Sequence, residues 1–508
     1  MSFGQSRAAS CSRESLRPRL MAAWAVLCAL ALVWPRPAQG QQELRDKVRQ
    51  LNDAMNRVQQ QIEDSQQQLK ALQSQLAALQ RETEGAEALP VPDAEHGAAQ
   101  LAAAVEELRE RQTMAESQIA SEEQTKVESE SKYPLKLSGM ILMNGFVNTG
   151  KVDSAPNPAV ALEGPGSTGA SVRQTVLGLD ARGPRLFGAR SHADIRFDFD
   201  GAITSGSTYG ADVFGLARLR TAHADLSWEH AQAFFSLDRP VLSPLAPDSL
   251  TAVGVPALAW SGNLWSWSPQ FGAGYEAMPR PSVGVGIKAA LIDVADPPAL
   301  FNSSPSTAYT PPSTAEQSRW PGVEAEFEIL DPHNGEGAQV GVGGLFASHR
   351  ASTLGTFKSW AGTLSFRLPM KRGMQISGSG YRGQALGGLG GGGYKDYVYS
   401  PSEGAESLRV PDDAGGWGQW KQRFNQRFEF NGAFGIDNVS AHQLRPYAVA
   451  TAGSLYNLAR NRTFTANAIY SPSAYVLLSL EFRHILSSFV NSPTQTSDVI
   501  GIAAGYKF

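Results

Sequence analysis

Several short stretches of the sequence alternate charged and apolar side chains, and they carry most of its possible chemistry. The stretch GVEAEFEIL places Glu324, Glu326 and Glu328 between apolar residues. Because successive side chains of a strand point to opposite faces, each stretch predicts a strand with one ionic face and one apolar face. An ionic face that carries both signs of charge can bind small charged solutes, and arginine binds carboxylate and phosphate through a planar fork.

The candidate site residues share a position on the ionic face of such a stretch. They are Asp194, Arg196, Asp198, Glu324, Glu326, Glu328, Arg367, Arg427, Glu429, Glu481 and Arg483. Two interpretations of the arginines remain open. They form a ladder of binding positions for anionic solutes, or they pair locally with Asp194, Asp198, Glu429 and Glu481 along the wall.

Motifs for catalysis and for cofactor binding are weak in this sequence. The eight histidines are scattered without metal-ligand spacing, and there is no GxSxG stretch. The stretch GLGGGG (Gly388–Gly393) fits a phosphate-binding pattern only formally, and we expect it to form a flexible outer loop. The sequence therefore predicts no enzyme, no cofactor and no metal site.

Charge divides the chain into three segments. Residues 1–40 are basic, residues 41–132 are acidic, and residues 133–508 carry equal numbers of acidic and basic residues, which argues against nucleic-acid binding. In residues 1–40, arginines precede the apolar run MAAWAVLCALALVW and the small residues Ala38 and Gly40. This is the pattern of a secretory signal peptide, because the run is short for the alternative, a membrane anchor. Both cysteines, Cys11 and Cys28, lie in this segment.

Residues 41–132 carry an apolar heptad pattern, which predicts an α-helical coiled coil about 50 Å long in its first part. The apolar positions are Leu44, Val48, Leu51, Met55, Val58, Ile62, Leu69, Leu72, Leu76 and Leu79. A Pro/Gly loop near 84–97 interrupts the coil. We expect self-association, as dimer or trimer, although a single helix folded onto a globular body fits the same residues.

Residues 133–508 contain about 16 strand-like stretches, joined alternately by short and by long connections. Alternation alone fits a soluble sandwich as well as a barrel. The apolar interior of a sandwich, however, cannot hold Glu324, Glu326 and Glu328, which follow one another on one face of a strand. The rhythm of connections is typical of an all-β transmembrane barrel of about 16 antiparallel strands. Tyr506 and Phe508 then end the last strand as the expected recognition signal for barrel assembly. The long connection 240–268 follows the fifth strand and is a candidate for constricting the barrel.

An exported chain with an N-terminal coiled coil followed by a 16-stranded barrel resembles the DcaP-like family of trimeric outer-membrane porins. The matching segments are YPLKLSGMILMNGFVNTG, RLRTAHADLSW, SLDRPVLSP, GGWGQWKQRFNQRFEFNGAFGID, NRTFTANAIYSPSAYVLLSLEFR and the final GYKF. The resemblance implies a homotrimer, a periplasmic coil and diffusion of small, often anionic solutes. The neutral barrel segment departs from an anion-selective pattern, so the choice between anions and cations stays open.

The sequence therefore predicts a passive or weakly selective porin in the bacterial outer membrane. Its expected partners are outer-membrane lipid, the barrel-assembly machinery, small hydrophilic solutes including small carboxylates, and peptidoglycan. The alternative is a structural protein that tethers the outer membrane to the cell wall, or an adhesin-like surface protein, with an incidental pore.

Overall fold

The computed structural model describes residues 134–201, 215–280, 283–297, 312–331, 337–351, 354–400, 408–451 and 453–508. The predicted signal peptide and coiled coil lie outside these residues. Seventeen strands follow one another along the described chain. They are β1 (Leu135–Val152), β2 (Ala161–Ser171), β3 (Val176–Leu186), β4 (Ala189–Gly201), β5 (Leu216–Ser227), β6 (Ala231–Asp238), β7 (Ser268–Arg280), β8 (Val283–Ile292), β9 (Gly322–Leu330), β10 (Gln339–Ala351), β11 (Gly355–Pro369), β12 (Met374–Gln384), β13 (Asp412–Arg423), β14 (Phe428–Val439), β15 (Leu458–Tyr470), β16 (Val476–Phe489) and β17 (Gln495–Lys507).

The strands form one closed antiparallel barrel. Apart from β2 and β3, each strand pairs with the next along the chain, and β17 returns to β1 with a register that runs from Met140↔Lys507 to Asn148↔Val499. β2 and β3 both pair with β1, β2 along its second half and β3 along its first half. They are therefore two halves of one wall strand, interrupted at residues 172–175, so the barrel has 16 wall strands, as the sequence predicted. Closure removes every sheet edge.

The two faces of the wall differ as the alternation predicts. In β9, Val323 on the outer face is 54% exposed, whereas Glu324 on the inner face is 1% exposed. A bulge changes this alternation in β5, because Arg196 pairs with Thr221 while Phe197 pairs with Leu219, which leaves Arg220 as an extra residue. A bulge of this kind turns the following side chains to the opposite face.

Short turns join the strands at the end of the barrel where β1 begins and β17 ends, which we call the turn end. Longer connections lie mostly at the other end, the loop end. The sequence predicts long connections at residues 150–171 and 348–355. Instead, residues 161–171 form β2, and β10 and β11 extend until only residues 352–354 separate them. Two short helices, α1 (Thr314–Ser318) and α2 (Ala441–Leu444), lie in loop-end connections. None of the described helices has the length and apolar character needed to cross a membrane.

The largest inward feature is the connection between β6 and β7, residues 239–267, which we call the inner loop. Its side chains Leu242, Leu258, Trp260 and Leu264 are buried although the segment has little regular structure. It folds inside the barrel instead of lying over the loop end. The predicted candidate for constriction is therefore the segment that occupies the interior.

Candidate functional site

The inner loop is held against the wall by hydrogen bonds at several points, beginning at β9 and β11. The Leu242 N–H donates to Glu324 Oε2 at 3.3 Å, and the Leu242 carbonyl accepts from Thr363 Oγ1 at 2.8 Å. The Glu324 carboxylate therefore binds the backbone of the inner loop and is not exposed to the lumen. Its burial beside a loop backbone explains why one of three consecutive glutamates can be tolerated there.

A second attachment lies on β13, where the inner loop carries the one acidic residue of its sequence. Asp248 Oδ2 accepts from Lys421 Nζ at 2.9 Å and from Gln419 Nε2 at 2.6 Å. The Asp248 N–H donates to Gln419 Oε1 at 2.7 Å. Two wall residues therefore hold both the side chain and the backbone of one loop residue.

A third attachment lies on β16. Ser249 Oγ donates to Glu481 Oε2, and Arg483 donates through Nη2 to Thr251 Oγ1 at 2.8 Å. Arg483 Nε also pairs with Glu481 Oε1 at 2.5 Å. Glu481 and Arg483 thus form a buried ion pair that also bonds to the loop. Glu481 accepts a further bond from Asn467, and Arg483 donates another to the Pro158 carbonyl.

The last attachments complete the path of the loop across the interior. Gln174 accepts from the N–H groups of Val253 and Gly254 through Oε1, at 2.6 and 2.9 Å. Arg218 Nη2 donates to the Gly254 carbonyl at 2.7 Å. The loop is therefore tied to strands on several sides of the barrel, and it narrows the lumen by crossing it.

The glycine-rich connection between β12 and β13 also packs inside. We call residues 385–400 the glycine loop. The expectation of a flexible outer loop was wrong, because Gly388–Gly393 are all buried. The Trp265 N–H donates to the Leu389 carbonyl at 2.9 Å, and Trp260 stacks on Tyr394 with ring centroids 3.9 Å apart. Because these glycines have no side chains, their backbone packs closely on the inner loop and is not exposed to solvent.

Two ionisable side chains of the glycine loop are fully enclosed. Lys395 Nζ donates to the carbonyls of Gly393 and Leu458, both at 2.7 Å, and burial lowers the pKa of Lys395 to about 8. Burial raises the pKa of Asp396 to about 7, against opposing hydrogen bonds from Gly388 and Gly387. Both shifts disfavour the charged forms, so the docked loop is sensitive to their protonation.

Inward side chains differ in exposure around the barrel. On β6 and β8 the side chains of Asp238 and Lys288 are each 38% exposed. On β16 the corresponding values are 1% for Glu481 and 6% for Arg483. The inner loop therefore covers the wall of β13–β16 and leaves a wetter space along β4–β8, which we call the open half of the lumen.

The open half contains a linked network of histidines and carboxylates. His223 faces Asp238 through Nε2 at 2.8 Å and Asp194 through Nδ1 at 3.2 Å. His192 Nδ1 lies 3.1 Å from Asp225 Oδ1. An imidazole donates from both nitrogens only when it is protonated, so the geometry around His223 suits an imidazolium.

One group among the described residues has the spacing of a metal site. Ligand atoms of Asp180, His192 and Asp194 lie within 4.8 Å of one another. Arg196 Nη2 already pairs with Asp180 Oδ1 at 2.7 Å and lies near Asp194, so a positive charge occupies this group. The arrangement is accounted for by the arginine.

Two arginines of β5 meet beside the end of the inner loop. The guanidinium carbons of Arg218 and Arg220 lie 5.1 and 4.9 Å from the centre of the Trp267 ring. Arg218 pairs with Asp198 at 2.6 Å, whereas Arg220 Nη1 is buried without a hydrogen-bond partner among the described residues. The alternation of β5 alone predicts that Arg218 and Arg220 lie at a rim of the barrel, because the sequence does not show the bulge at Arg220.

The candidate site residues lie on the inner side of their strands or in turn-end connections, but they do not form one group. Arg196 and Arg483 pair with neighbouring acids, and Arg367 donates to Gln339 Oε1 at 3.0 Å. Arg427 lies in the exposed turn after β13, and Glu429 pairs with Arg423 at 3.0 Å.

The acidic candidates are also distributed around the barrel. Asp194 and Asp198 belong to the open half. Glu326 and Glu328 accept from Ser365 and Gln339. These contacts agree better with local wall pairing than with one ladder of binding positions.

Residues missed by sequence reasoning act mainly through the inner loop. Arg239, at its start, donates to the carbonyls of Ser243 and Leu245, and burial lowers the pKa of Arg239 to about 10. Gln174 lies between β2 and β3. Their partners are backbone groups, so no pattern of side chains could have indicated them.

A solved structure shares this fold, and two others show weaker similarity. The outer membrane channel DcaP of Acinetobacter baumannii has a TM-score of 0.53 and 15% identity, and the alignment covers 75% of this chain and 99% of that chain. An anion-selective porin from Comamonas acidovorans has a TM-score of 0.45 and 11% identity, over 74% of this chain and all of that chain. A Salmonella typhi OmpF complex with daunomycin has a TM-score of 0.46 and 10% identity, over 74% and 98%. No protein-family model and no curated protein matches this sequence. The resemblance to DcaP is confirmed at the level of the fold.

Proposed function

We propose that this protein is an outer-membrane porin, through which small hydrophilic solutes diffuse passively or with weak selectivity. The observation that carries the proposal is a closed barrel with an apolar outer face, an ionic interior and a loop of its own chain across the lumen. Only closed barrels and helices satisfy their backbone groups within lipid. An ionic interior suits water and solutes rather than a packed core.

The orientation follows from the two ends of the barrel. Short turns face the periplasm and long loops face outward in barrels of this class, so we place the turn end, with the predicted coil, in the periplasm. Tyr506 and Phe508 lie at this end, where we propose that the barrel-assembly machinery reads them. A homotrimer, and binding of peptidoglycan by residues 41–132, complete the proposed assembly.

The solute path runs along the open half of the lumen. Some inward side chains of β4–β8, among them His223, Asp238 and Lys288, retain contact with water, whereas Glu481 and Arg483 of β16 are covered by the inner loop. Along this path Asp238, His223 and Lys288 present both signs of charge. Mixed charge orders water without excluding either sign of ion, which favours weak selectivity.

We call the part of the lumen beside the inner loop, where Arg218 and Arg220 meet Trp267, the narrow section. Small carboxylates are the solutes that the narrow section favours. Arg218 and Arg220 stack beside Trp267 next to the inner loop, and both residues are only partly buried. Arginine forms strong, directional hydrogen bonds to carboxylates. Most other lumen arginines are committed to acids or carbonyls of the wall.

Conductance of single proteins in planar bilayers tests the channel. Replacing Asp248 with Ala removes the ion pair to Lys421 and the bond from Gln419, so the inner loop detaches from β13 and we expect larger conductance steps. Asp248→Asn keeps the bond from Gln419 and serves as the matched control, with a smaller increase. A folded, inserted protein without conductance would contradict the porin and favour a tether.

Reversal potential under a salt gradient tests the carboxylate preference. Arg220→Gln removes one charge from the narrow section, and we expect a shift toward cation preference and slower flux of small carboxylates than of neutral sugars. Arg423→Gln, at the turn end beside Glu429, is the control that removes an equal charge elsewhere. Equal shifts in the two variants would show that Arg220 has no special part.

A further inference from the structure

Three arginines of the hairpin β3–β4 line one cavity at the turn end. Arg182, Arg185 and Arg190 surround a space of 610 Å³, together with Ser191, His192 and Asp225. Arg185 lies directly opposite Arg190 in the strand register. Like charges directly opposite one another destabilise a strand pair. The hairpin therefore carries a positive charge density that costs stability unless an anion offsets it.

These arginines differ from those deeper in the lumen. Among the described residues, the side chains of Arg182, Arg185 and Arg190 make no ion pair or hydrogen bond. Asp225 is the only acidic residue that lines the same cavity, and it faces His192 at 3.1 Å. The three arginine side chains can therefore pair with a partner that lies outside the described residues.

The chain itself enters the barrel at this hairpin. The Arg182 N–H donates to the Pro134 carbonyl at 3.3 Å, and Leu135 pairs with Ala181. The sequence just before Pro134 is SEEQTKVESESKY, in which Glu122, Glu123, Glu128 and Glu130 outnumber two lysines. Glu130 precedes Pro134 by four residues in the chain, and four residues span at most about 14 Å.

We propose that the acidic segment Glu122–Glu130 of this chain docks on the arginines of the β3–β4 hairpin. Its carboxylates pair with Arg182, Arg185 and Arg190, and this fixes where the predicted coil leaves the barrel. The inference depends on chain position and charge and is independent of solute diffusion. Ion pairs at an exposed site weaken as salt screens them, so the docking is salt-sensitive.

Cleavage of the folded full-length protein by a glutamate-specific protease tests the docking. In low salt we expect slow cleavage after Glu122–Glu130, and at least tenfold faster cleavage when Arg182, Arg185 and Arg190 are all replaced by Gln. Adding about 0.5 M NaCl, which shortens the screening length to roughly 4 Å, should accelerate cleavage of the unchanged protein but not of the triple variant. Heat-modifiable gel mobility confirms that each barrel is folded.

A matched triple variant controls for loss of charge at the turn end. Arg372 and Arg427 lie in turn-end connections between β11 and β14, and Arg423 ends β13 at the same end of the barrel. Replacement of these three residues by Gln should leave the cleavage rate unchanged. Equal rates in the unchanged protein and the β3–β4 variant would overturn the proposal. Protection that appears only when inorganic phosphate is added would also overturn it, because the arginines would then be a small-anion site.

Discussion

At the scale of single residues, burial separates two kinds of ion pair in this barrel. Glu481 and Arg483 are enclosed under the inner loop and share their hydrogen bonds with Ser249 and Thr251. Arg423 and Glu429 pair at the turn end, where the arginine is largely exposed. A buried charge that loses its partner is costly, whereas an exposed pair contributes little.

Replacing Glu481 with Gln should therefore destabilise the barrel strongly. Arg483 would remain buried without a countercharge, which costs about 3–5 kcal/mol in comparable sites. Unfolding in denaturant, followed by gel mobility in lipid or detergent, measures the loss. Glu429→Gln is the matched control, with an expected loss below about 1 kcal/mol. Similar losses in the two variants would show that the enclosure of Glu481 has no energetic consequence.

The sequence predicted the face of the β9 glutamates but not their partners, and it wrongly placed Arg427 on a strand rather than in a turn. Glu324, Glu326 and Glu328 lie inward as alternation required, because the period of a strand is fixed by backbone geometry. Alternation carries no information on which loop backbone reaches Glu324. Alternation also does not predict the bulge at Arg220, because the sequence of β5 remains apolar on one side and shows no break at that residue.

At the scale of elements, the glycine loop shows how glycine allows close packing. Gly390 has φ of +97°, and a Cβ there would lie 2.5 Å from Trp265 Cδ1. Gly453 also has positive φ, +69°, but a Cβ there would meet nothing within 4 Å. Another residue would carry backbone strain at both positions, but the two positions differ in available space.

Gly390→Ala should detach the glycine loop from the inner loop. Both alanine variants carry a backbone cost of about 1–3 kcal/mol, but only the Gly390 variant adds a collision with Trp265. We expect larger conductance steps and faster proteolysis within residues 385–400 for Gly390→Ala. Gly453→Ala should leave conductance unchanged. A Gly390 variant with unchanged conductance would argue that the glycine loop does not narrow the path.

Asp396 should make the docking of the glycine loop depend on pH. Its pKa is raised by burial to about 7 from an ordinary value of 3.8, so docking is favoured at acid pH and loses support as pH rises through about 7. We expect larger conductance at about pH 7.5 than at about pH 5. Lys395 stays charged across this window, because its pKa is lowered only to about 8.

Asp396→Asn isolates this effect. Asparagine stays neutral at both pH values, so the part of the pH dependence that comes from Asp396 should disappear from single-channel recordings. Equal pH dependence in the two proteins would assign it to other lumen groups.

The two interior loops were unequally predictable. The inner loop was identified from its place after the fifth wall strand and from its unusually apolar sequence. The glycine loop was wrongly expected to be flexible, because composition alone does not show that Trp260 and Trp265 provide a surface on which glycines can pack. Tertiary contacts decided its conformation.

At the scale of the whole molecule, the last strand closes the barrel through Phe508. The Phe508 N–H donates to the Gly139 carbonyl at 3.1 Å, and its carbonyl accepts from the Gly139 N–H at 3.0 Å. Phe508→Asp should sharply reduce the amount of folded protein in the outer membrane, measured by heat-modifiable mobility. Phe424→Asp, an exposed aromatic in a turn-end connection, is the control and should assemble nearly normally. Normal assembly of Phe508→Asp would contradict a recognition role.

The strand number and the order of turns and loops were predictable, because each strand repeats the same two-residue period and the connections differ in length. The extent of the strands was not, since β1–β2 and β10–β11 continue beyond the segments that alternate clearly. Pairing with an already formed neighbour extends a strand whatever its own pattern.

The attachments of the inner loop also constrain the order of events during folding. Residues 239–267 bond to Asn144 near the start of the barrel sequence and to Arg483 near its end. Those two partners become neighbours only after β17 has joined β1. Contacts between residues so distant in sequence form late, because the entropy of closing the chain must be lost first. A nascent barrel therefore passes through a closed cylinder with an unfilled interior, and the narrow section is the last part of the molecule to mature.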